Sequence, residues 1–182
     1  AGLGEALYGA GKGLSPVFYI TVGTGIGGGL IIDGEIYRGV GKGATEIGHL
    51  LVPDLSGEKL VILEATSAGW GIEATAARLR SDRGWGADLG DGPITVKRLA
   101  DAARSGHLEA QALLGAAVEK LALGIRQMIT LLCPKRVVIG GGVSLLGEEL
   151  FFEPIRRYQA AHGMGAFAGL TDIVPAALGE EV

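Results

Sequence analysis

Val17-Phe-Tyr-Ile-Thr-Val-Gly-Thr-Gly-Ile-Gly-Gly-Gly-Leu-Ile-Ile-Asp33 reads as strand, glycine turn, strand. Val17 to Val22 is β-branched and aromatic, which predicts a buried strand. Gly23-Thr24-Gly25 then permits close backbone approach and conformations that a Cβ resists. Leu30-Ile31-Ile32 resumes the apolar run, and Asp33-Gly34 is a two-residue hairpin signal before Glu35-Ile36-Tyr37. Such a turn presents successive backbone N–H groups and the Thr24 hydroxyl, a nest suited to phosphate. The alternative is a tight hairpin with no ligand. Gly23, Gly25 and Gly28 also fall at the G-x-G-x-x-G spacing, but a dinucleotide fingerprint must open a helix. A hairpin follows here, so no Rossmann site is expected.

Working outward, 182 residues can bury roughly 70% of the unfolded surface, so one compact domain is expected. Glycine accounts for 33 positions, against a usual share of about 7%. These glycines lie beside apolar runs, which implies tight turns, not a linker. The net charge is −4 without a basic block, which excludes a nucleic-acid surface built from clustered Lys and Arg. Cys133 is the only cysteine, so neither an internal disulfide nor a cysteine zinc cluster can form. It ends an apolar helix, where a buried inert thiol is expected. No apolar run approaches 18 residues and no signal-peptide pattern is present, so a cytoplasmic protein without membrane contact is expected.

In chain order, residues 1–13 read as the end of a helix stopped by Gly9, Gly11 and Gly13. Both ends look cut, with no cap upstream and no clear stop after Ala176. Gly39 to Ala44 is a flexible loop leading to Thr45-Glu46-Ile47-Gly48-His49. Ala65 to Arg80 is helical in character, and Ser81 to Gly92 is a surface loop. Thr95 can cap a helix to Arg104, with Ser105-Gly106 as its stop. His107 to Leu132 is the longest helix by its 3.6-residue periodicity, blocked by Pro134. Arg136 to Gly140 is a buried strand. Gly140-Gly-Gly-Val-Ser144 is a second glycine turn, with a helix from about Leu146 to Ala160. That strand-turn-helix either receives a nucleotide or is an ordinary βα turn. Asp172 to Pro175 is a last strand.

Glu46, His49 and Glu64 are the polar residues most out of place, each set beside apolar neighbours. A polyol could satisfy them, since hydroxyls donate to carboxylates and imidazole both donates and accepts. Alternatively Glu46 and His49 bond one another. His107 and His162 read as surface or loop residues without a role. Neither a G-x-S-x-G elbow nor a Walker A loop is present.

Three motifs occur in one order: Val22-Gly-Thr-Gly-Ile-Gly-Gly-Gly29, Glu46-Ile-Gly-His49 with Glu64 downstream, and Val138-Ile-Gly-Gly-Gly-Val-Ser144. Over nearly the whole chain they resemble the ROK family of repressors, open reading frames and sugar kinases, in particular its glucokinase-like members. The resemblance implies an α/β fold of the actin-like, ribonuclease-H-like class, with residues 1–182 forming a single larger C-terminal lobe. It implies that Gly23, Thr24 and Gly25 line the ATP phosphates, that Gly140, Gly141 and Gly142 lie near the adenosine, and that Glu46, His49 and Glu64 bond sugar hydroxyls. The implied reaction is phosphoryl transfer from MgATP (ATP with Mg2+) to a hexose, with glucose giving glucose 6-phosphate. An amino-sugar kinase for N-acetylglucosamine or N-acetylmannosamine, and the sugar-sensing part of a repressor, are the competing readings. Family members often form homodimers or homotetramers through this lobe, so the resemblance allows either state here.

Two departures from the family pattern matter. Zinc-containing members carry a cysteine cluster before the last sugar-binding glutamate, whereas Leu50 to Leu63 holds no cysteine, so no zinc is expected. The catalytic aspartate of the pattern falls before Ala1, so no catalytic residue is assigned within the chain and the 182 residues alone are expected to be inactive. Ala68 also replaces a usual serine before Gly69.

Overall fold

The computed structural model describes residues 1–41 and 43–179, so Lys42 of the expected glycine loop and the last three residues of the tail lie outside it. The frame is a five-stranded sheet. Strands β1 (Val17–Val22), β2 (Ile26–Ile32) and β3 (Glu35–Ile36) form an antiparallel meander. Strands β6 (Arg136–Gly140) and β7 (Asp172–Pro175) add in parallel on the other side of β1, giving the order β3-β2-β1-β6-β7. A separate two-stranded ladder joins β4 (Leu51–Pro53) to β5 (Leu60–Ile62). The Asp33-Gly34 hairpin forms as expected: both residues have positive φ, 52° and 81°, the backbone a two-residue reverse turn requires.

Alternation along β1 divides the core between the two faces of the sheet. Phe18, Ile20 and Val22 point with Val137 and Ile139 into the main core. That core is closed by α3 (Gly69–Arg83), α4 (Val96–Arg104), α5 (Leu108–Leu132) and α6 (Glu153–His162). Val17 and Val138 point the other way, against Ala6 and Leu3 of α1 (Gly2–Tyr8). Helices on both faces explain why β1 and β6 are continuous apolar runs.

The expected long helix is α5. His107 is its N-cap: the Nδ1 atom accepts the Ala110 N–H at 3.1 Å, and Nε2 pairs with Asp88. This role for His107 was not legible in the sequence. Cys133 is its half-buried C-cap in the left-handed region, not a fully buried thiol. Thr95 caps α4 as expected, accepting the Arg98 N–H at 3.2 Å. The loop between α3 and α4 is held from within. Arg80 donates to the carbonyls of Gly86, Gly90 and Gly92, and Arg98 to those of Leu89, Asp91 and Pro93.

Two expected helices are altered. The Ala65–Arg80 helix is broken at Ala68, whose ψ of 161° separates the single turn α2 (Glu64–Ser67) from α3. The helix after the second glycine turn begins only at Glu153. A five-residue 3-10 turn (Gly142–Leu146) and a π turn (Glu148–Phe152) precede it, because Gly147 at φ 84° interrupts the path and Pro154 brings no N–H. Among the described residues no helix is long and apolar enough to cross a membrane.

At the start of β6 and β7, Arg136 pairs with Asp172 through Nε and Nη2, at 2.8 and 2.5 Å, and donates from Nη1 to the Ala10 carbonyl. The guanidinium hydrogen bond holds the Asp172 carboxyl below its usual range. Its stabilisation is therefore present above the unfolded pKa of about 3.9 and lost as pH falls through the lower folded value. Asp172 is half exposed, so Asp172→Asn is expected to cost no more than about 1 kcal/mol at pH 7. The gap from the parent should close below about pH 4, which urea titrations across pH would reveal.

Candidate functional site

Parallel pairing of β1 with β6, with Thr21 opposite Gly140, brings both glycine turns to one end of the sheet. Gly141 has φ 93°, and a Cβ there would stand 2.6 Å from the Val22 carbonyl oxygen. Only glycine lets the second turn lie on the end of β1. Gly140 is buried at the end of β6, facing the Tyr19 hydroxyl. Burial pushes the Tyr19 phenol up, so it stays neutral. Gly142 faces open space.

The first turn is closed by the Gly23 N–H donating to the Gly25 carbonyl at 2.9 Å. Thr24 is exposed at its tip, and a Cβ on Gly23 would meet nothing within 4 Å. Its position is fixed from α3: the Gly69 N–H donates to the Gly23 carbonyl at 2.8 Å. That bond uses a helix-start N–H that has no partner within the helix, and it explains the break at Ala68. The five glycines and Thr24 singled out in the two motifs therefore form one ledge, open at Gly23 and Gly142 and bordered by the Glu64 carboxylate at Gly25 and by the Tyr19 hydroxyl at Gly140.

The segment Glu46 to His49 forms a 3-10 turn (Ile47–His49) laid across β2. A Cβ on Gly48 would be 2.2 Å from the Ile26 carbonyl oxygen, and one on Gly28 would be 2.2 Å from that of Thr45. Glycine at these two positions is what lets the loop seat on the strand. Thr45, at φ 69°, donates its hydroxyl to the Gly28 carbonyl at 3.1 Å. Glu46 and His49 are exposed, contrary to the burial their apolar neighbours implied. Neither side chain has a hydrogen-bond partner among the described residues; only their backbones bond, His49 N–H to the Glu46 carbonyl at 3.0 Å. They do not bond one another.

Glu64 joins the two halves. The Leu63 N–H donates to the Leu50 carbonyl at 2.8 Å, which brings α2 beside the Glu46–His49 turn. The half-buried Glu64 carboxylate turns toward β2, where Oε2 accepts the Ile26 N–H at 3.2 Å. The structure thus brings together Gly23, Thr24, Gly25, Gly140, Gly141 and Gly142 and sets Glu64 beside them, while Glu46 and His49 lie on the turn across β2. The roles of Gly48 and Gly69 were missed; the glycine inside E-x-G-H was the one available signal. An apolar cleft of about 350 Å³ adjoins Glu46, between Phe18, Leu30, Tyr37 and Met128. A larger one of about 610 Å³ lies at the start of β7, the opposite end of the sheet from the glycine turns.

Comparison with known proteins gives the family and the fold. The model of the ROK family matches residues 1–182. A glucokinase from Halalkalibacterium halodurans is 32% identical over 191 residues, covering 100% of this chain and 57% of its own. A kanosamine kinase from Amycolatopsis mediterranei is 36% identical over 136 residues, 72% of this chain and 41% of its own. The crystal structure of a ROK family glucokinase from Streptomyces griseus, in complex with glucose and AMPPNP, superposes with a TM-score of 0.81 at 31% identity. That match covers 97% of this chain and 60% of the other. The chain thus spans about three fifths or less of each of these relatives. The likeness shows the α/β fold to be the actin-like, ribonuclease-H-like one.

Proposed function

Because the chain belongs to the ROK family over residues 1–182, we propose that the protein is a sugar kinase that transfers the terminal phosphoryl group of ATP to a hexose hydroxyl, with glucose as acceptor. Residues 1–182 then form the larger, C-terminal lobe. Gly23, Thr24 and Gly25 receive the phosphates, and Gly140, Gly141 and Gly142 lie near the adenosine. Glu46, His49 and Glu64 hold the sugar hydroxyls.

The observation that supports this reading is the seating of a carboxylate-bearing segment within one hydrogen bond of a glycine phosphate turn, Glu64 to Ile26. Phosphoryl transfer needs little covalent help from the protein; it needs the two substrates aligned and the charge stabilised. Glycine turns allow backbone N–H groups to approach phosphate closely. Magnesium bound to the nucleotide would supply neutralisation of the phosphate charge. Glu46 and His49, exposed and unpartnered among the described residues, are free to take sugar hydroxyls without first breaking a protein contact. Glucose is preferred because the Halalkalibacterium and Streptomyces relatives are glucokinases. The kanosamine kinase keeps an amino sugar as the second reading.

Calorimetric titration with glucose, galactose and N-acetylglucosamine tests it. Saturable binding preferring glucose is expected. Glu46→Gln should weaken it about 10- to 100-fold, the worth of roughly 1.5–3 kcal/mol for a hydrogen bond to a charged group. Preference for N-acetylglucosamine would move the acceptor to the amino-sugar class. Unaltered affinity in Glu46→Gln would remove that carboxylate from the sugar site.

A further inference from the structure

Glu64 does more than face one ligand. Its backbone is pinned by α5. A Cβ on Gly124 would lie 2.6 Å from Leu63 Cδ2, so α5 passes directly over the residue before Glu64. The Ser67 hydroxyl donates to the Ala117 carbonyl at 2.8 Å, and the Thr66 hydroxyl to that of Leu63 at 2.8 Å. The phosphate turn is gripped from this one segment at both ends: Gly69 N–H to the Gly23 carbonyl, and Glu64 Oε2 to the Ile26 N–H. Gly25 lies directly under the carboxylate, its Cβ position 3.1 Å from Oε2. The second carboxylate oxygen, Oε1, has no protein partner among the described residues.

Resting on the sugar-kinase reading above, we propose that Glu64 is a positioning residue that couples the two substrates, so that hexose binding tightens the grip of the phosphate turn on nucleotide. An ionised carboxylate only accepts, and its two oxygens serve two donors at once. The Ile26 N–H holds Oε2, and a sugar hydroxyl takes Oε1. A hexose that fixes the side chain thereby fixes Ile26 and Gly25. Each ligand must then raise the affinity of the other by the same factor, about 5- to 150-fold for couplings of this kind.

The test is the dissociation constant of a non-hydrolysable ATP analogue, by calorimetry, with and without saturating glucose. In the parent protein glucose should tighten the analogue at least 5-fold. In Glu64→Gln the amide cannot serve both donors. If its oxygen keeps the Ile26 N–H, its NH2 group faces the sugar and cannot accept. If it turns over, donor meets donor at Ile26. The coupling should fall to within about 2-fold of unity even when glucose saturates. Glu64→Asp keeps the charge but is one methylene short, so it should speed amide exchange at Ile26 in the ligand-free protein by about 10-fold or more. A residue that only bound sugar would weaken glucose in both variants, yet leave the coupling at saturation and the Ile26 exchange unchanged; that result would overturn the proposal. Parent protein that binds both ligands independently would overturn the coupling alone. Parent protein that binds neither would overturn the sugar-kinase reading as well.

Discussion

Gly141→Ala is expected to destabilise the protein by about 2–6 kcal/mol, lowering Tm by roughly 4–24 °C, and to abolish nucleotide binding. Two costs add. At φ 93° and ψ 165° the backbone lies in a region essentially reserved for glycine, costing a side chain about 1–3 kcal/mol. The new Cβ also stands 2.6 Å from the Val22 carbonyl oxygen and 2.8 Å from the Val22 nitrogen. Those are backbone atoms at the end of β1, where Val22 pairs with Ile26 of β2, and they cannot swing aside, so overpacking adds about 1–3 kcal/mol. The strain falls where the two glycine turns meet, so the surviving fold would hold the ledge open. Gly142→Ala is the control, with nothing within 4 Å of its Cβ and an expected change within about 0.5 kcal/mol. Thermal denaturation of both variants decides the matter: equal stability would mean that the second turn does not rest on β1.

Gly48→Ala should do the opposite, sparing the fold more than the chemistry. Its Cβ would lie 2.2 Å from the Ile26 carbonyl oxygen, so the Ile47–His49 turn must lift by about an ångström from β2. Ile47 and Gly48 of this turn are buried, so stability should also fall, by about 1–3 kcal/mol. Glu46 and His49 ride on it, however, and a displacement of that size in a positioning group costs about 100-fold or more. Steady-state kinetics of the protein carrying the catalytic aspartate expected upstream should show kcat/KM for hexose reduced by at least that factor. An unchanged KM for the sugar would detach this turn from the sugar site.

Much of this was legible from the order of residues. The β1 strand, the Asp33-Gly34 hairpin, the Thr95 cap, the span of α5 and the strands β6 and β7 all follow from local rules, because propensity, periodicity and turn chemistry act within a few residues. The three motifs identify the family because glycine spacing and an E-x-G-H segment are written directly in the chain. The helix break at Ala68 was not legible: it exists to aim the Gly69 N–H at a carbonyl 46 positions away in sequence. Nor was the exposure of Glu46 and His49, since apolar neighbours such as Ile47 turn inward while the polar residues of a tight turn face out.

By itself, then, the sequence determined which segments are strand, helix or glycine turn, and to which family they belong. Only the tertiary structure decided which glycines are indispensable, because close approach is a property of two segments: Gly141 answers to Val22, Gly48 to Ile26 and Gly28 to Thr45. It also decided that Glu64 reaches the first glycine turn, a contact made by strand pairing and by the pinning of α2 under α5, which no local pattern encodes.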